Sequence, residues 1–299
     1  MVGVAQQVEH LVVVQDVAGS SPVTHPSLPA GAECSGTRVP RMRTVEVHHE
    51  LTGSPDSPVL VLAGPLGSTL DIWQPQVDAL AGQFRVLRYD HRGHGRSPVL
   101  HGGSYAVMDM ALDALALLDR LGIERAAFCG LSLGGMVGIW LAAHAPERFS
   151  SLVLCSTSAH FDDHGPSVER AASVRFVGTE GVAAEVVAGW FTPEWAAAHP
   201  DVVEQAIQMI SKTTDDGYAE CCGAIATWDA RRLLGRILTP TLVIAGSRDR
   251  ETPVVPHAKT LAAAIYRAKL EVLDGAHLAV IEQADRANRL IAKHAAANK

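Results

Sequence analysis

The sequence predicts an α/β fold in which a mostly parallel, doubly wound sheet carries helices on both faces. Short apolar runs typical of buried strands alternate with segments of helical spacing. The segment Gly130–Gly134, Gly-Leu-Ser-Leu-Gly, joins one such run to a helix-like segment rich in Ala and Leu. Residues 160–235 have helical spacing and no strand-like run. This pattern predicts a helical cap inserted into an α/β core of residues 42–159 and 236–299.

The composition of the 299-residue chain is that of a globular protein. Hydrophobic residues make up 47% of the chain and charged residues 19%, which provides enough apolar material for a buried core. The formal net charge of −7 argues against nucleic-acid binding, which requires a basic surface. No apolar run approaches the roughly 18 residues that a membrane-spanning helix needs. We therefore expect neither nucleic acid nor a membrane as a partner.

The cysteines indicate a reducing compartment. The chain has five of them, an odd number without zinc-ligand spacing. The N-terminus has neither a basic leader nor the continuous apolar segment of a secretory signal. We therefore predict a reduced, cytoplasmic protein.

Residues 1–41 differ from the rest of the chain. A brief apolar patch, Leu11–Val14, is followed by Gly, Ser, Pro and Thr without periodicity, which predicts a loose or disordered segment. The stretch Ala5–Pro26 also resembles the translation product of a transfer-RNA gene. An alternative hypothesis is that this extension is spurious and that the natural protein begins at Met42.

The elements before the cap alternate between strand and helix. Met108–Leu121 has helical spacing and stops at Gly122, a residue suited to ending a helix. Continuous apolar runs are typical of strands buried on both faces of a sheet. Thr44–His49 alternates as in an exposed strand, and the other strands predicted before the cap are Val59–Ala63, Phe84–Tyr89, Ala127–Cys129 and Ser151–Leu154.

After the cap, the same alternation returns. The predicted elements are the strands Thr241–Ala245 and Lys269–Leu273 and the helices Val255–Ala264 and Ile281–Ala296. Ligand sites in such sheets lie beyond the carboxyl ends of the strands. We therefore expect the residues that directly follow several strands to meet at one edge of the sheet.

Three of these residues form a candidate catalytic triad. Ser132, Asp249 and His277 each follow a predicted strand, in the chain order nucleophile, acid, histidine. In such a triad the histidine takes the serine proton, and the acid orients the imidazole and stabilises its charged form. Alternative acids are Asp162, Asp274 and Glu282.

A serine nucleophile also needs N–H donors for the oxyanion that it creates. The N–H of Leu133 directly follows the serine, and a second donor is expected from the loop Gly64–Gly67. Pro65 in this loop has no N–H to give. We therefore assign the second donor to Leu66.

A glycine-rich turn after the third predicted strand carries His91 and His94 in the sequence HRGHG. A catalytic zinc ion needs three protein ligands and an open position, and no third ligand stands nearby in the sequence. We expect no metal here. Arg92 and Arg96 are expected to brace the turn or to attract an anionic substrate.

From Met42 to its end, the chain resembles the 3-oxoadipate enol-lactonases of the α/β-hydrolase superfamily. The catalytic motifs alone indicate the superfamily, whereas the cap segment GYAECCGAI and the long match around Ser132 are more specific. The matching segments are YDHRGHGRS at 89–97, residues 117–159, FTPEW at 191–195, GYAECCGAI at 217–225 and TPTLVIAG at 239–246.

The resemblance implies an α/β-hydrolase fold with the cap inserted after the sixth strand. It implies hydrolysis of 3-oxoadipate enol-lactone to 3-oxoadipate in the β-ketoadipate pathway of aromatic catabolism, without a cofactor. It also implies that Ser132, Asp249 and His277 are the catalytic residues. The lactone carries a free carboxylate, so a cationic or N–H-rich patch should line the pocket. Candidates for substrate contacts are Trp190, Tyr218, Arg175, Arg92 and Lys212.

Two other readings remain open at this point. A carboxylesterase or a cofactor-free perhydrolase of the haloperoxidase type would use the same triad. A non-catalytic module on the same scaffold would bind a ligand without converting it, although such a module has no need of all three triad residues.

Overall fold

A central sheet organises the protein, which a computed structural model describes over residues 44–298. The predictions for residues 1–41 and for a start at Met42 lie outside these residues. Within them the sheet has seven strands in the spatial order β1-β3-β2-β4-β5-β6-β7. The strands are β1 His49–Thr52, β2 Val59–Ala63, β3 Arg85–Tyr89, β4 Ala126–Leu131, β5 Phe149–Cys155, β6 Thr241–Gly246 and β7 Lys269–Leu273.

The sheet is mostly parallel, as predicted. Only β1 runs antiparallel, beside β3, and every other neighbouring pair is parallel. The central strands β4 and β5 are buried at every position, whereas the edge strand β7 is largely accessible. Helices that cover both faces of the sheet account for the continuous apolar runs in the central strands.

The helices alternate with the strands in the core. Helix α3 follows β4 directly, and all its residues except the last, His144, are buried, which explains why it is apolar on every side. The helices are α1 Gln74–Leu80, α2 Val107–Arg120, α3 Leu133–His144, α4 Gly165–Ala188, α5 Pro193–Ala198, α6 Pro200–Ser211, α7 Asp215–Ala226, α8 Lys259–Ala264, α9 Ala279–Glu282 and α10 Ala284–Ala296.

Helices α4–α7 form the cap, between β5 and β6. The cap therefore follows the fifth described strand and not the sixth, because the chain from residue 44 to β2 supplies a single strand, β1. A β-bridge between His160 and Asp229 joins the points where the chain enters and leaves the cap. Helix α4 is kinked at Gly178, whose φ of 75° is accessible to glycine at little cost.

The first predicted strand is displaced. Thr44–His49 alternates in burial as expected, but a strand forms only from His49 to Thr52. Two backbone N–H groups before it bond to side chains instead of a neighbouring strand. The N–H of Val45 donates to Asp113 Oδ1 at 2.7 Å, and the N–H of His48 donates to Ser97 Oγ at 2.8 Å.

Two predicted helices are also shorter than expected. The helix predicted from Val255 becomes regular only at Lys259, because Val255 precedes a proline and adopts an extended conformation (φ −114°, ψ 123°). The helix predicted over Ile281–Ala296 is broken at Gln283, whose φ and ψ of −115° and 43° are not helical.

No helix among residues 44–298 is long and apolar enough to cross a membrane. Four cysteines of this part of the chain, Cys129, Cys155, Cys221 and Cys222, are buried free thiols.

Candidate active site

Ser132 stands at a strained turn between β4 and α3. Its φ of 54° and ψ of −113° lie in a region that residues with a side chain rarely adopt. The turn is held by backbone hydrogen bonds. The N–H of Ser132 donates to the Cys155 carbonyl at 2.9 Å, and the N–H of Gly134 donates to the Gly64 carbonyl at 3.1 Å.

The two glycines that flank Ser132 are required by close backbone approaches. A Cβ atom at Gly130 would collide with the carbonyl of Gly134, and one at Gly134 would collide with the carbonyl of Ala63. Helix α3 therefore packs against β2 and β4 only because both positions lack side chains. This contact is the physical basis of the Gly-x-Ser-x-Gly pattern in this chain.

Asp249 and His277 meet beyond the ends of β6 and β7. The Nδ1 atom of His277 lies 3.1 Å from Oδ1 and 3.0 Å from Oδ2 of Asp249, and both side chains are buried. Thr252 donates its N–H to Oδ1 at 3.0 Å and its hydroxyl to Oδ2 at 2.7 Å, and the N–H of Glu251 donates to Oδ1 at 2.9 Å. The carboxylate is thus fixed on three sides.

The pKa values of the pair are shifted in opposite directions. Burial disfavours a charged Asp249, but its contacts with His277 and Thr252 outweigh burial and lower the pKa of the carboxyl to about 2. Burial also disfavours a charged His277, but the Asp249 charge and hydrogen bond outweigh it and raise the pKa of the imidazole. The pair therefore favours an ionised carboxylate that stabilises a protonated ring.

The alternative acids make other contacts. Asp274 is exposed and pairs with Arg248 at 3.2 Å. Asp162 is also exposed, 3.2 Å from His160. Glu282 accepts hydrogen bonds from Thr192 and from the Ala276 N–H.

Ser132 and His277 line one cavity of about 310 Å³ between the core and the cap. Leu66, Trp190 and Tyr218 line the same cavity, so the structure brings five of the predicted site residues together. Trp190 and Tyr218 present mostly buried aromatic surface. Burial raises the pKa of Tyr218, so its hydroxyl is protonated and able to donate a hydrogen bond.

The three cationic residues predicted for substrate contact lie elsewhere. Arg175 is exposed on the cap and pairs with Glu220 at 2.9 Å. Arg92 is buried and binds Asp113, at 2.7 Å from Nε to Oδ2 and 2.8 Å from Nη2 to Oδ1. Lys212 is exposed.

Arg170, for which the sequence predicted no role, lines the cavity instead. It shares the cavity wall with Pro166 and Ser167 of the same helix, α4, at the spacing of neighbouring turns. Its Nη2 atom lies 3.8 Å from Glu251 Oε1. A second cationic residue, Arg250, also lines the cavity. Helical spacing places these three α4 residues on one face of the helix, but it does not show that this face points at the cavity.

The loop Gly64–Ser68, which we call the oxyanion loop, is also held by defined contacts. The N–H of Gly67 donates to His94 Nε2 at 2.9 Å, and the N–H of Ser68 donates to the Pro65 carbonyl at 3.3 Å. These contacts leave the N–H of Leu66 as the donor that residues 65–68 can offer to a ligand. Leu133 begins α3, where N–H groups have no partner within the helix.

Comparison with known proteins identifies the family of the chain. A family model described as the alpha/beta hydrolase fold matches residues 57–284. The chain is 37% identical over 249 residues to 3-oxoadipate enol-lactonase 2 of Acinetobacter baylyi, which covers 83% of this chain and 92% of that protein. It is 32% identical over 260 residues to RutD of Stutzerimonas stutzeri, whose carbamate hydrolase activity is itself a prediction; the match covers 84% of this chain and 97% of RutD.

A solved structure shows the same relationship. The enol-lactonase from Burkholderia xenovorans LB400 matches with a TM-score of 0.80 and 36% sequence identity, over 84% of this chain and 96% of that one. The sheet order, the strained serine turn and these matches lead to one family. The chain belongs to the α/β-hydrolase family, as a hydrolase similar to the 3-oxoadipate enol-lactonases.

Proposed function

We propose that this protein hydrolyses 3-oxoadipate enol-lactone to 3-oxoadipate, a step of the β-ketoadipate pathway. The observation that carries the proposal is the lining of one cavity by Ser132, His277 and Arg170, with Asp249 bound to His277. A nucleophile, its base and a cation for a carboxylate therefore face the same space. The matches to enol-lactonases support this substrate. They also support the more general assignment, which is hydrolysis of an ester bond.

The first half of the reaction forms an acyl-enzyme. Ser132 Oγ attacks the lactone carbonyl while His277 accepts the hydroxyl proton, and the carbonyl oxygen becomes an oxyanion. The N–H groups of Leu133 and Leu66 donate to this oxygen. When the intermediate collapses, the ring C–O bond breaks, the enol oxygen takes the proton from His277, and the enol converts to the ketone.

The second half returns the enzyme to its starting state. His277 removes a proton from a water molecule, which attacks the ester carbonyl of acylated Ser132. Collapse of the second oxyanion breaks the ester bond, and Ser132 Oγ recovers its proton from His277. Each half reaction protonates His277 once, which is the state that Asp249 stabilises.

Arg170 is the group that we assign to the free carboxylate of the lactone. Its guanidinium lies at the cavity wall at 3.8 Å from Glu251, a distance at which the pair is loose. A guanidinium binds a carboxylate with two parallel hydrogen bonds. The aromatic surfaces of Trp190 and Tyr218 would pack against the ring of the substrate.

The proposed reaction uses only groups of the chain and water, so it needs no cofactor. The cytoplasmic location expected from the free thiols stays a prediction. The alternatives are a carboxylesterase, a perhydrolase, a carbamate hydrolase of the RutD kind and a non-catalytic binder.

A substrate panel separates these alternatives. The purified full chain is assayed with 3-oxoadipate enol-lactone, p-nitrophenyl acetate, a carbamate, and acetate with hydrogen peroxide. The proposal predicts a kcat/KM for the enol-lactone that exceeds the other values by at least an order of magnitude. Higher turnover of the neutral ester, the carbamate or the peracid reaction would overturn the assignment in favour of that activity.

A further inference from the structure

The turn that carries His91 and His94 contacts the oxyanion loop through both imidazoles. His94 Nε2 accepts a hydrogen bond from the N–H of Gly67 at 2.9 Å. His91 Nε2 lies 3.0 Å from the carbonyl of Gly64, and because a carbonyl oxygen only accepts, this nitrogen carries a proton and donates it. The two rings therefore hold the oxyanion loop at Gly64 and Gly67.

The contacts of His94 define its tautomer. Its Nδ1 atom lies 3.1 Å from the carbonyl of Arg92, so Nδ1 carries the proton and donates to that oxygen. Its Nε2 atom then keeps a free lone pair, which accepts from Gly67. A doubly protonated ring would present two donors and could not bind the Gly67 N–H.

The surroundings of His94 keep the ring neutral. The side chain is completely buried, and burial lowers its pKa, although the Arg92 carbonyl and the charge of Asp90 act in the opposite direction. Tyr218 of the cap stacks on the ring with 6.5 Å between centroids and 25° between planes. The cap thus shields the contact between His94 and the oxyanion loop from water.

Only Pro65 and Leu66 lie between the two held residues. Pro65 has a fixed φ and no N–H, so the orientation of the Leu66 N–H follows from where Gly64 and Gly67 are held. The hydrogen bond that the Gly67 N–H donates to the neutral imidazole is therefore only one residue away from the proposed oxyanion donor.

We propose that His94 is a positioning residue, whose neutral Nδ1–H imidazole holds Gly67 so that the Leu66 N–H points at the oxyanion. The proposal rests on the proposed catalytic roles of Ser132 and Leu66. It assigns to the HRGHG sequence a part in the reaction without contact with the substrate. His91 provides the matching contact at the other end of the loop.

The test compares two amide substitutions, each of which can keep one of the two hydrogen bonds that the His94 imidazole makes. In His94→Gln the side-chain oxygen reaches the position of Nε2 and can accept from Gly67. In His94→Asn the shorter amide can bond to the Arg92 carbonyl but does not reach Gly67. His101→Asn, at an exposed histidine that pairs with Asp216, is the matched control.

The readout is the rate at which a p-nitrophenyl phosphonate labels Ser132, measured by mass spectrometry across pH. The phosphonyl oxygen takes the place of the oxyanion, whatever ester is the natural substrate. We expect His94→Asn to label about 10-fold to 100-fold more slowly. Loss of an oxyanion donor lowers kcat by about 10²-fold to 10³-fold, and here the donor is only misplaced. His94→Gln and His101→Asn should stay within about threefold of the parent.

The pH dependence and the parent rate separate the outcomes. A slower His94→Asn with an unchanged pKa on the acid limb supports the proposal, because the pair of His277 and Asp249 is then undisturbed. Equal labelling of His94→Asn and the parent overturns it, and so does a shifted acid limb. If the parent is not labelled at Ser132, the proposed function fails first, and this proposal with it.

The tautomer of His94 can be measured in the parent protein, so this test does not depend on whether a variant folds. In protein labelled with ¹⁵N-histidine, the couplings between ring nitrogens and ring protons distinguish the two neutral forms and the charged form. The proposal predicts a neutral Nδ1–H ring for His94 at pH 7. A neutral Nε2–H ring or a charged ring would overturn it.

Discussion

Glu282 Oε2 accepts a hydrogen bond from the hydroxyl of Thr192 at 2.6 Å. The other oxygen of the same carboxylate accepts from the N–H of Ala276 at 2.6 Å. Thr192 belongs to the cap, and Ala276 directly precedes His277. Glu282 therefore connects the cap to the loop that carries the proposed catalytic base.

The substitution Glu282→Gln should weaken this connection. The amide keeps one acceptor oxygen and loses the charge, so the N–H groups of Thr192 and Ala276 cannot both keep an acceptor. We expect the free energy of unfolding to fall by about 1–2 kcal/mol in urea titrations. Glu271→Gln is the control, since Glu271 forms an exposed pair with Arg286, and it should cost less than about 1 kcal/mol. Equal effects of the two substitutions would contradict this role of Glu282.

Arg170→Gln tests the contact proposed for the substrate carboxylate. Loss of a charged hydrogen-bond donor worth about 1.5–3 kcal/mol should lower kcat/KM for the enol-lactone by roughly 10-fold to 100-fold, mainly through KM. Turnover of neutral p-nitrophenyl acetate should change little. Arg175→Gln, at the exposed cap arginine, is the matched control and should leave both substrates unaffected. A similar loss with the neutral ester would show that Arg170 supports the structure and not the carboxylate.

Asp249→Asn tests the electrostatics of the proposed triad through pH. His277 acts as a base only when neutral, so activity is lost as pH falls below its pKa. Asp249 raises that pKa. Without the carboxylate charge the pKa should fall, and the acid limb of kcat/KM should move to lower pH, while kcat drops by about 10⁴. A limb that stays in place, or that moves to higher pH, would contradict the assigned pair.

Asp113→Asn tests whether Arg92 braces the turn, which is one of the two roles that the sequence predicts for it. The change removes the charge that Arg92 faces and leaves a buried guanidinium less well compensated. Breaking such a pair should cost about 3–5 kcal/mol in the free energy of unfolding, measured in urea. If stability changed by less than 1 kcal/mol while KM for the enol-lactone rose, Arg92 would instead belong to substrate attraction.

The positions of Ser132, Asp249 and His277 follow from topology, which explains why the sequence indicated them. Each stands directly after a strand, and parallel neighbouring strands end at one edge of the sheet. The Gly-x-Ser-x-Gly pattern added the local geometry, because only glycine at 130 and 134 permits the approach of α3. The fold class and the position of these three residues at one edge of the sheet could therefore be predicted from the sequence.

The cap residues proposed to contact the substrate could not be predicted from the sequence in the same way. Arg170 and Arg175 lie on one helix, and no pattern in the sequence distinguishes the one that faces the cavity. Their directions depend on how α4 packs and on its kink at Gly178. The same limit applies to Thr44–His49, where burial alternates as in a strand but the N–H groups of Val45 and His48 donate to the side chains of Asp113 and Ser97.

The central claim is that Ser132 is the nucleophile of an enol-lactone hydrolase. It is tested most directly by turnover of 3-oxoadipate enol-lactone by the full chain and by Ser132→Ala. We predict turnover by the parent and a loss on the order of 10⁴-fold or more in kcat for the variant. Lactone turnover that survives the substitution would contradict the role of Ser132, and a parent without lactone turnover would contradict the substrate.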